Sequence, residues 1–588
     1  MIRLAVVRYG SSTMVQSRQS IHSIPLPWTV GALGLLLSMV VAMPVSAADQ
    51  VVFRYGFLER SVDLNDLEDY AATGQASSEL RAYLRLLPPE HRRQIRSSLQ
   101  EKLTLSPVAV AQLLYSPLGE ELLAQIGDVM QTGSRRGNNY ALRSALILAA
   151  ADSDGLTALT IIRHYPSSSL RVDLAKGLSI LKNFQELILQ TQTVLDAVRY
   201  QANIEAVAVH GAVPMVQSLT ELGPLRWIEM PWTMTDQSLR RLQLTGHART
   251  LKATFYLPTL SPNQFSQAVP VVVISHGLGA DRYSYHYLGR HLASHGFAVL
   301  ALEHPGSSSE RLLSFPAGHT TAYTAAQEFL DRPLDVTFIL DQLHQFPSQL
   351  QPWPGRLDLD RVAVIGQSFG GYTALTLAGA SLDFDHLHQI CPAHIATTLN
   401  ISLILQCQAT TLPHRNYHLS DRRVRAVLAV NPITSAVFSP ASLAAIETPV
   451  MIMAGSADAI APPVSEQVYP FTWLTSGDRY LVLVDHATHF STIGESLPNT
   501  AAMPIPRALI GSTPRSRAYL MAMSLAFLRT HLLNQEQDRA FLTAAAAQAL
   551  SHRDQPLNLS QDLSQPILEG PPISAFPALF YPVNPTER

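Results

Sequence analysis

The sequence predicts a doubly wound, mostly parallel α/β sheet preceded by an all-helical N-terminal domain. Three observations carry this expectation: a series of short apolar runs in the second part of the chain, helical periodicity between those runs, and repeated helix start and stop signals before them. Continuous apolar runs of strand length suit a parallel sheet covered on both faces. They fall at 251–257, 270–275, 297–302, 362–365, 424–430, 449–454 and 480–484. Helical patterns at 287–294 and 326–343 separate some of them, and a long helix at 515–533 closes the series. Such alternation is what a parallel sheet with crossover helices requires.

From residue 49 to about 205 apolar residues recur three and four apart. Ser78-Glu79-Leu80 opens one helix and Pro88-Pro89 ends it, while Ser106-Pro107 and Ser116-Pro117 each place a cap residue before a proline suited to a first helical turn. No phosphate-binding glycine loop or metal-ligand cluster stands in this region, so taken alone it points to no chemistry. The catalytic region is expected over 212–535, with a lid-like insertion at 381–421, and a C-terminal helix and proline-rich tail over 536–588.

Residues 1–48 read as a targeting segment, with Arg3, Arg8 and Arg18 ahead of an apolar run at 28–43 and small residues at Pro44-Val45-Ser46-Ala47-Ala48 for cleavage. The run is shorter than the roughly 20 residues of a spanning helix. Export, to periplasm or medium, is therefore the expectation, and a retained N-terminal anchor is the alternative. The 588-residue chain has a net charge of -3 and only 15% charged residues, so its field would not gather polyanions and nucleic acid is not an expected partner. The oligomeric state is open. Cys391 and Cys407 are the 2 cysteines; in an oxidising compartment they could pair, and two buried free thiols are the other reading.

The chemistry lies in Gly366-Gln367-Ser368-Phe369-Gly370. A bare G-x-S-x-G pattern is weak, but here it follows a strand and precedes a helix, the setting of a nucleophile elbow in an α/β-hydrolase. The glycines relieve crowding around a strained serine, and the turn aims the Phe369 amide at a reacting carbonyl oxygen. Serine needs a base. His489 follows the strand at 480–484 near the end of the domain, where the chain order serine, acid, histidine places it; His486, at the strand's very end, is the runner-up. The acid is expected at Asp458, on the loop after 449–454, rather than at Asp478 or Asp485, and a helix cap is its bland reading. The second oxyanion donor is expected at the Leu278 amide in Ser275-His276-Gly277-Leu278-Gly279, where Gly277 lets the backbone approach and His276 shapes the loop.

Ser275-His276-Gly277-Leu278-Gly279, Leu292-Ala293-Ser294-His295-Gly296-Phe297, Glu303-His304 and Ser368-Phe369-Gly370-Gly371 resemble the platelet-activating-factor acetylhydrolase family over about residues 270–376. The resemblance implies a calcium-independent serine lipase that removes short or oxidised acyl groups from phospholipids. One departure matters: that family's acid follows the strand after the nucleophile helix, and here that strand ends at Asn431, so the acid moves one strand on, as in dienelactone-hydrolase-like enzymes. Leu58-Glu59-Arg60-Ser61-Val62, Leu105-Ser106-Pro107-Val108-Ala109, Tyr115-Ser116-Pro117-Leu118-Gly119 and the insertion stretch 400–407 resemble a bacterial group of α/β-hydrolases with an N-terminal helical domain of unknown function, of DUF1400 type.

The expected activity is serine carboxylic-ester hydrolysis with no metal or organic cofactor. Lipid or short-acyl esters are the expected substrates, with transient contact at a membrane surface. In the insertion, Leu399, Ile401, Leu403, Ile404 and Leu405 could line an acyl site or equally be core. A lactone or dienelactone hydrolase is one alternative, and a non-catalytic binding protein on a hydrolase scaffold is another.

Overall fold

The N-terminal region contains a four-stranded sheet, which corrects the expectation of an all-helical domain. Its strands β1 (Gln50–Tyr55), β2 (Leu58–Asp63), β3 (Met130–Thr132) and β4 (Ser169–Asp173) lie in the order β2-β1-β4-β3. Local periodicity hides them because they are short, and because β1 pairs in parallel with β4 across most of the intervening chain. Helices Leu64–Thr73, Asn139–Ala151 and Ala158–Arg163 bury Leu67, Leu142, Ala145 and Ile162 in one core with Val51, Val62 and Leu170 of the sheet. The structure, a computed structural model, describes residues 48–563 apart from 56–57, scattered positions between 86 and 138, and 210–214, 263–267, 315–325, 346–352, 354–355, 395–399 and 495–512. Residues 1–47 of the targeting segment, Pro88-Pro89, Ser106, the Ser116-Pro117 cap, Leu399 and the proline-rich end of the chain lie outside the described residues, while Ala48 is buried in the N-terminal core.

The helix Leu174–Ala208 then carries the chain to the second sheet, and its Val194, Leu195 and Val198 already belong to that sheet's core. The nine strands are β5 (Trp227–Asp236), β6 (Arg249–Pro258), β7 (Ala268–Ser275), β8 (Ala298–Glu303), β9 (Arg356–Gln367), β10 (Val424–Val430), β11 (Val450–Gly455), β12 (Arg479–Val484) and β13 (Leu557–Ser560). Every apolar run becomes one of them. The order is β13-β12-β11-β10-β9-β7-β8-β6-β5; neighbours from β8 through β12 are parallel, and antiparallel strands flank them at both edges. Alternate residues serve opposite faces: Val271 and Val273 enter one core and Val272 and Ile274 the other, so β7 must be apolar throughout. Edge strand β5, paired with β6 alone, is largely exposed.

The chain lays β8 on one side of β7 and then returns to lay β9 on the other. The loops after β7 and β9 therefore diverge at a topological switch point, where an open α/β sheet forms a crevice at its carboxyl ends. The C-terminal boundary at 535 also needs correction, because residues 557–560 supply β13, the antiparallel edge beside β12. Four residues, Leu-Asn-Leu-Ser, are too few to register as a pattern. The insertion is a packed part of the body: its helices Phe384–His394 and Ile401–Cys407 are joined by a Cys391–Cys407 disulfide, and Phe384, Leu387, Ile390, Leu403 and Leu412 are core. Of the residues considered for an acyl site, Leu403 is buried, Leu405 packs half-buried against the core, and Ile401 and Ile404 are half-buried.

Candidate active site

Ser368 sits between β9 and the helix Phe369–Ala378 with φ 56 and ψ -117, a conformation that a side chain adopts only under strain. Two close approaches make this turn possible. A Cβ on Gly366 would collide with the Gly370 carbonyl, and one on Gly370 would collide with the carbonyl of Ser275 at the end of β7. The Ser368 amide donates to Val430 O at 2.9 Å, tying the elbow to β10. Phe369 opens the helix, and among the described residues no backbone acceptor takes up its N–H or that of Leu278. These are the two amides expected to face an oxyanion.

The loop after β7 lies against the elbow at Gly277, where an added Cβ would strike Gln367 Oε1 and come within 3.2 Å of Ser368 Cβ. Gly277→Ala should therefore push the Leu278 amide off line. We expect a loss of about 10²-fold in kcat, the scale of removing one oxyanion donor, with KM little changed; equal kcat in the two proteins would remove this loop from the site. His276 is buried and shapes the loop as expected: its Nδ1–H donates to Gly277 O at 2.7 Å, and its Nε2 accepts the His304 amide at 3.0 Å. Burial, with Arg332 and His304 nearby, holds its pKa well below the usual histidine value, so it stays neutral.

Asp458 and His489 come from the loops after β11 and β12 and meet in the interior, both almost wholly buried. Asp458 Oδ1 accepts the Ile460 and Ala461 amides at 2.9 and 2.8 Å, and Oδ2 accepts His489 Nδ1–H at 2.7 Å. With Nδ1 engaged, Nε2 is the ring nitrogen left for proton transfer. The two loops are stitched together by Ala457 N–H to Ala487 O at 2.9 Å and by His486 N–H to Ser456 Oγ at 2.9 Å. His486, the runner-up base, is at φ 59 in the turn that leads to His489.

Three side chains that the sequence reading did not assign complete the arrangement. Gln367, immediately before the serine, donates from Nε2 to His489 O at 3.1 Å and so links elbow and histidine loop directly. Asn431, where a carboxylate was missed, donates from Nδ2 to Thr488 O and His489 O at 3.3 Å and accepts the Gly455 amide at 2.9 Å. An amide can bridge a donor and an acceptor at once, as this position between the two loops requires. Arg332, fully buried, donates to His276 O, to Ser307 Oγ at 2.6 Å and to Thr373 Oγ1 at 3.2 Å, and its guanidinium lies 4.6 Å from the Phe369 ring. It braces both amide-bearing segments. A signal existed: Glu328, Asp331, Arg332 and Asp335 stand at i, i+3, i+4 and i+7 on one helix face, which among apolar neighbours marks a buried charge cluster.

That cluster contains a fully buried serine–histidine–aspartate chain. Ser275 Oγ lies 2.9 Å from His304 Nε2, and His304 Nδ1 lies 2.9 Å from Asp335 Oδ2, all three at 0% exposure. It lacks the strained turn and any access, so its role is to hold β7, β8 and the helix Glu328–Gln345 together. Among the described residues no group of three histidine, cysteine or acidic side chains could hold a metal ion, and no helix is long and apolar enough to cross a membrane.

The sheet order, the elbow at Ser368 and the paired loops make this an α/β-hydrolase fold. Comparison with known proteins agrees. A family described as an alpha/beta hydrolase of unknown function, DUF1400, matches residues 47–173, and the family of platelet-activating factor acetylhydrolase, isoform II, matches residues 243–316. Platelet-activating factor acetylhydrolases of Canis lupus familiaris and Cavia porcellus are 30% identical to the chain over 146 and 143 residues, in each case 20% of this chain and 33% of the relative. That of Bos taurus is 31% identical over 141 residues, 18% of this chain and 31% of its own length. The chain thus spans about a third of the curated relatives it matches. It has an α/β-hydrolase fold and carries a region similar to the acetylhydrolases. The 243–316 match holds Gly277 and Leu278 but not Ser368, Asp458 or His489.

Proposed function

We propose that the protein is a serine carboxylic-ester hydrolase in which Ser368 is the nucleophile, His489 the general base and acid, and Asp458 the group that orients the imidazole. The observation that carries this reading is the Asp458–His489 pair at 2.7 Å, tied through Gln367 to the strained turn that presents Ser368. Ser368 Oγ attacks the ester carbonyl as its proton passes to His489 Nε2. The carbonyl oxygen becomes an anion between the amides of Leu278 and Phe369. The C–O bond to the leaving alcohol then breaks, and His489 returns the proton to that alcohol. Water adds to the acyl-enzyme with His489 again as base, and release of the acid restores Ser368.

Lipid or short-acyl esters are the substrates we assign. Support comes from the acetylhydrolase-like region around the Leu278 loop and from the half-buried Ile401 and Ile404 on an insertion whose Ser402 amide bonds Ile460 O beside Asp458. We place the protein in an exported, oxidising compartment, a reading supported by the Cys391–Cys407 disulfide. Wild-type protein should be labelled by a fluorophosphonate and hydrolyse p-nitrophenyl esters, and Ser368→Ala should lose both. Labelling that survives in Ser368→Ala would point to another serine, and an unlabelled wild type would favour a binding protein on a hydrolase scaffold.

A further inference from the structure

The helix Leu174–Ala208 reaches from the N-terminal region to the far edge of the catalytic sheet, and its contacts converge on one place. Arg199 grips Asp485 with Nε at 3.1 Å from both carboxylate oxygens and Nη2 at 2.6 Å from Oδ1, while Asp196 holds its Nη1 at 2.6 Å. Asp485 is the first residue after β12, 5% exposed, and only four positions ahead of His489. Its carboxylate also accepts from Asn558 Nδ2 at 3.2 Å, and its amide donates to Pro556 O at 2.8 Å. One turn and a half further along the helix, Glu205 accepts Ser560 Oγ at 2.5 Å and the Gln561 amide at 2.9 Å, fixing the end of β13. Asn203 accepts Gln548 Nε2 at 2.7 Å.

The loop from Asp485 to His489 is thus held at three points. Ser456 and Ala457 fix its middle from the acid loop, Asn431 and Gln367 fix the His489 carbonyl, and Arg199 fixes its root. The first two belong to the catalytic sheet itself. Only the root is held by the helix that comes from the N-terminal region, through a two-pronged guanidinium–carboxylate contact whose geometry sets orientation as well as attraction. A carboxylate left without the arginine would have to seek water from a nearly closed position, whereas the guanidinium, a quarter exposed, would keep Asp196.

We propose that Arg199 is a positioning residue for ester hydrolysis: by clamping Asp485 it sets where the loop presents His489, and the helix that leaves the N-terminal region is thereby part of the catalytic apparatus. This rests on the function proposed above. The side chain touches no reacting atom; it acts through the four-residue lever between Asp485 and His489. Small displacements of a base relative to its nucleophile are costly, since misplacement of about 1 Å can lose about 10²-fold in rate.

The test uses the full chain as wild type, Arg199→Met, Arg199→Lys, Asp485→Asn and the double variant Arg199→Met/Asp485→Asn. The readouts are the rate constant for fluorophosphonate labelling of Ser368, kcat and KM with p-nitrophenyl acetate, and the thermal midpoint. We expect labelling rate and kcat to fall about tenfold in Arg199→Met and in Asp485→Asn with KM nearly unchanged, an intermediate value in Arg199→Lys, and no further loss in the double variant, because both changes break one contact. Asp485→Asn preserves shape and remains informative if Arg199→Met does not fold. Wild-type labelling rate and kcat in the folded variants, with only the thermal midpoint lowered, would make the clamp purely structural and overturn the inference. So would losses that add in the double variant. A wild type that neither labels nor turns over would sink the proposed function and this inference with it, whereas a labelled wild type with unaffected variants sinks this inference alone.

Discussion

Asp458→Asn is expected to lower kcat by about 10⁴-fold, the loss that follows when a triad carboxylate becomes an amide and the histidine tautomer is reversed. The geometry makes the substitution unusually clean. Asp458 Oδ1 is committed to the Ile460 and Ala461 amides, so the asparagine carbonyl oxygen would keep that place and the NH2 group would take the place of Oδ2. It would then donate to His489 Nδ1, leaving the proton on Nε2, where it cannot accept from Ser368. The loop contacts to backbone survive, so the thermal midpoint should fall little. Steady-state hydrolysis of a p-nitrophenyl ester measures the effect. A loss of less than about tenfold would mean that another carboxylate orients His489; Asp485 is the neighbour in sequence, but its oxygens are taken by Arg199 and Asn558.

Arg249→Met should be strongly destabilising, costing about 3–5 kcal/mol because removal of one partner leaves buried charge uncompensated. Arg249 lies 2.6 Å from Glu328, 3.3 Å from Asp331 and 3.0 Å from Asp335, all buried. Burial drives the Glu328 carboxyl upward, and Arg249 more than offsets it, leaving its pKa below the usual glutamate value. For Asp331 burial prevails over Arg249, and its pKa is raised. A depressed folded-state pKa stabilises above the unfolded value and loses that contribution as pH falls, so the wild-type Glu328 contribution is complete at neutral pH and fades below about 4.5. Without Arg249 the acids titrate higher. The cost of the substitution should therefore be greatest at pH 7 and shrink toward pH 4, as urea unfolding at several pH values would show. A cost independent of pH would mean that lost packing, not charge, dominates.

What could be read from the residues alone follows from where the information sits. Strands buried on both faces must be apolar at successive positions, so β7, β10 and β12 announce themselves. The elbow is equally local, since glycine at 366 and 370 is demanded by contacts within the turn and with β7. The pairing of Asp458 with His489 was legible because chain order and adjacent strand ends put the two on neighbouring loops. By contrast, β1 to β4 are at most six residues long, and β4 meets β1 and β3 from far along the chain, so nothing near Gln50 signals that Ser169 will lie beside it. The buried charge cluster is half legible: the spacing of 328, 331, 332 and 335 puts its charges on one helix face, but nothing local signals that Arg241 and Arg249 arrive from another part of the chain to pair with them. Asn431 was noticed as a missing acid, yet its actual work, bridging Gly455 to the histidine loop, depends on three separate strand ends.

The short C-terminal strand β13 has a consequence for how the molecule is made. It covers β12, whose Tyr480-Leu481-Val482-Leu483-Val484 stretch is apolar, uncharged and free of proline, the composition that templates intermolecular pairing when an edge stands bare. During synthesis that edge waits for residues 557–560 to emerge, after every other strand of the sheet has been translated. Until then the nascent protein holds an adhesive border open to its neighbours, and a chain shortened before residue 557 should collect in aggregates rather than as an inactive soluble form.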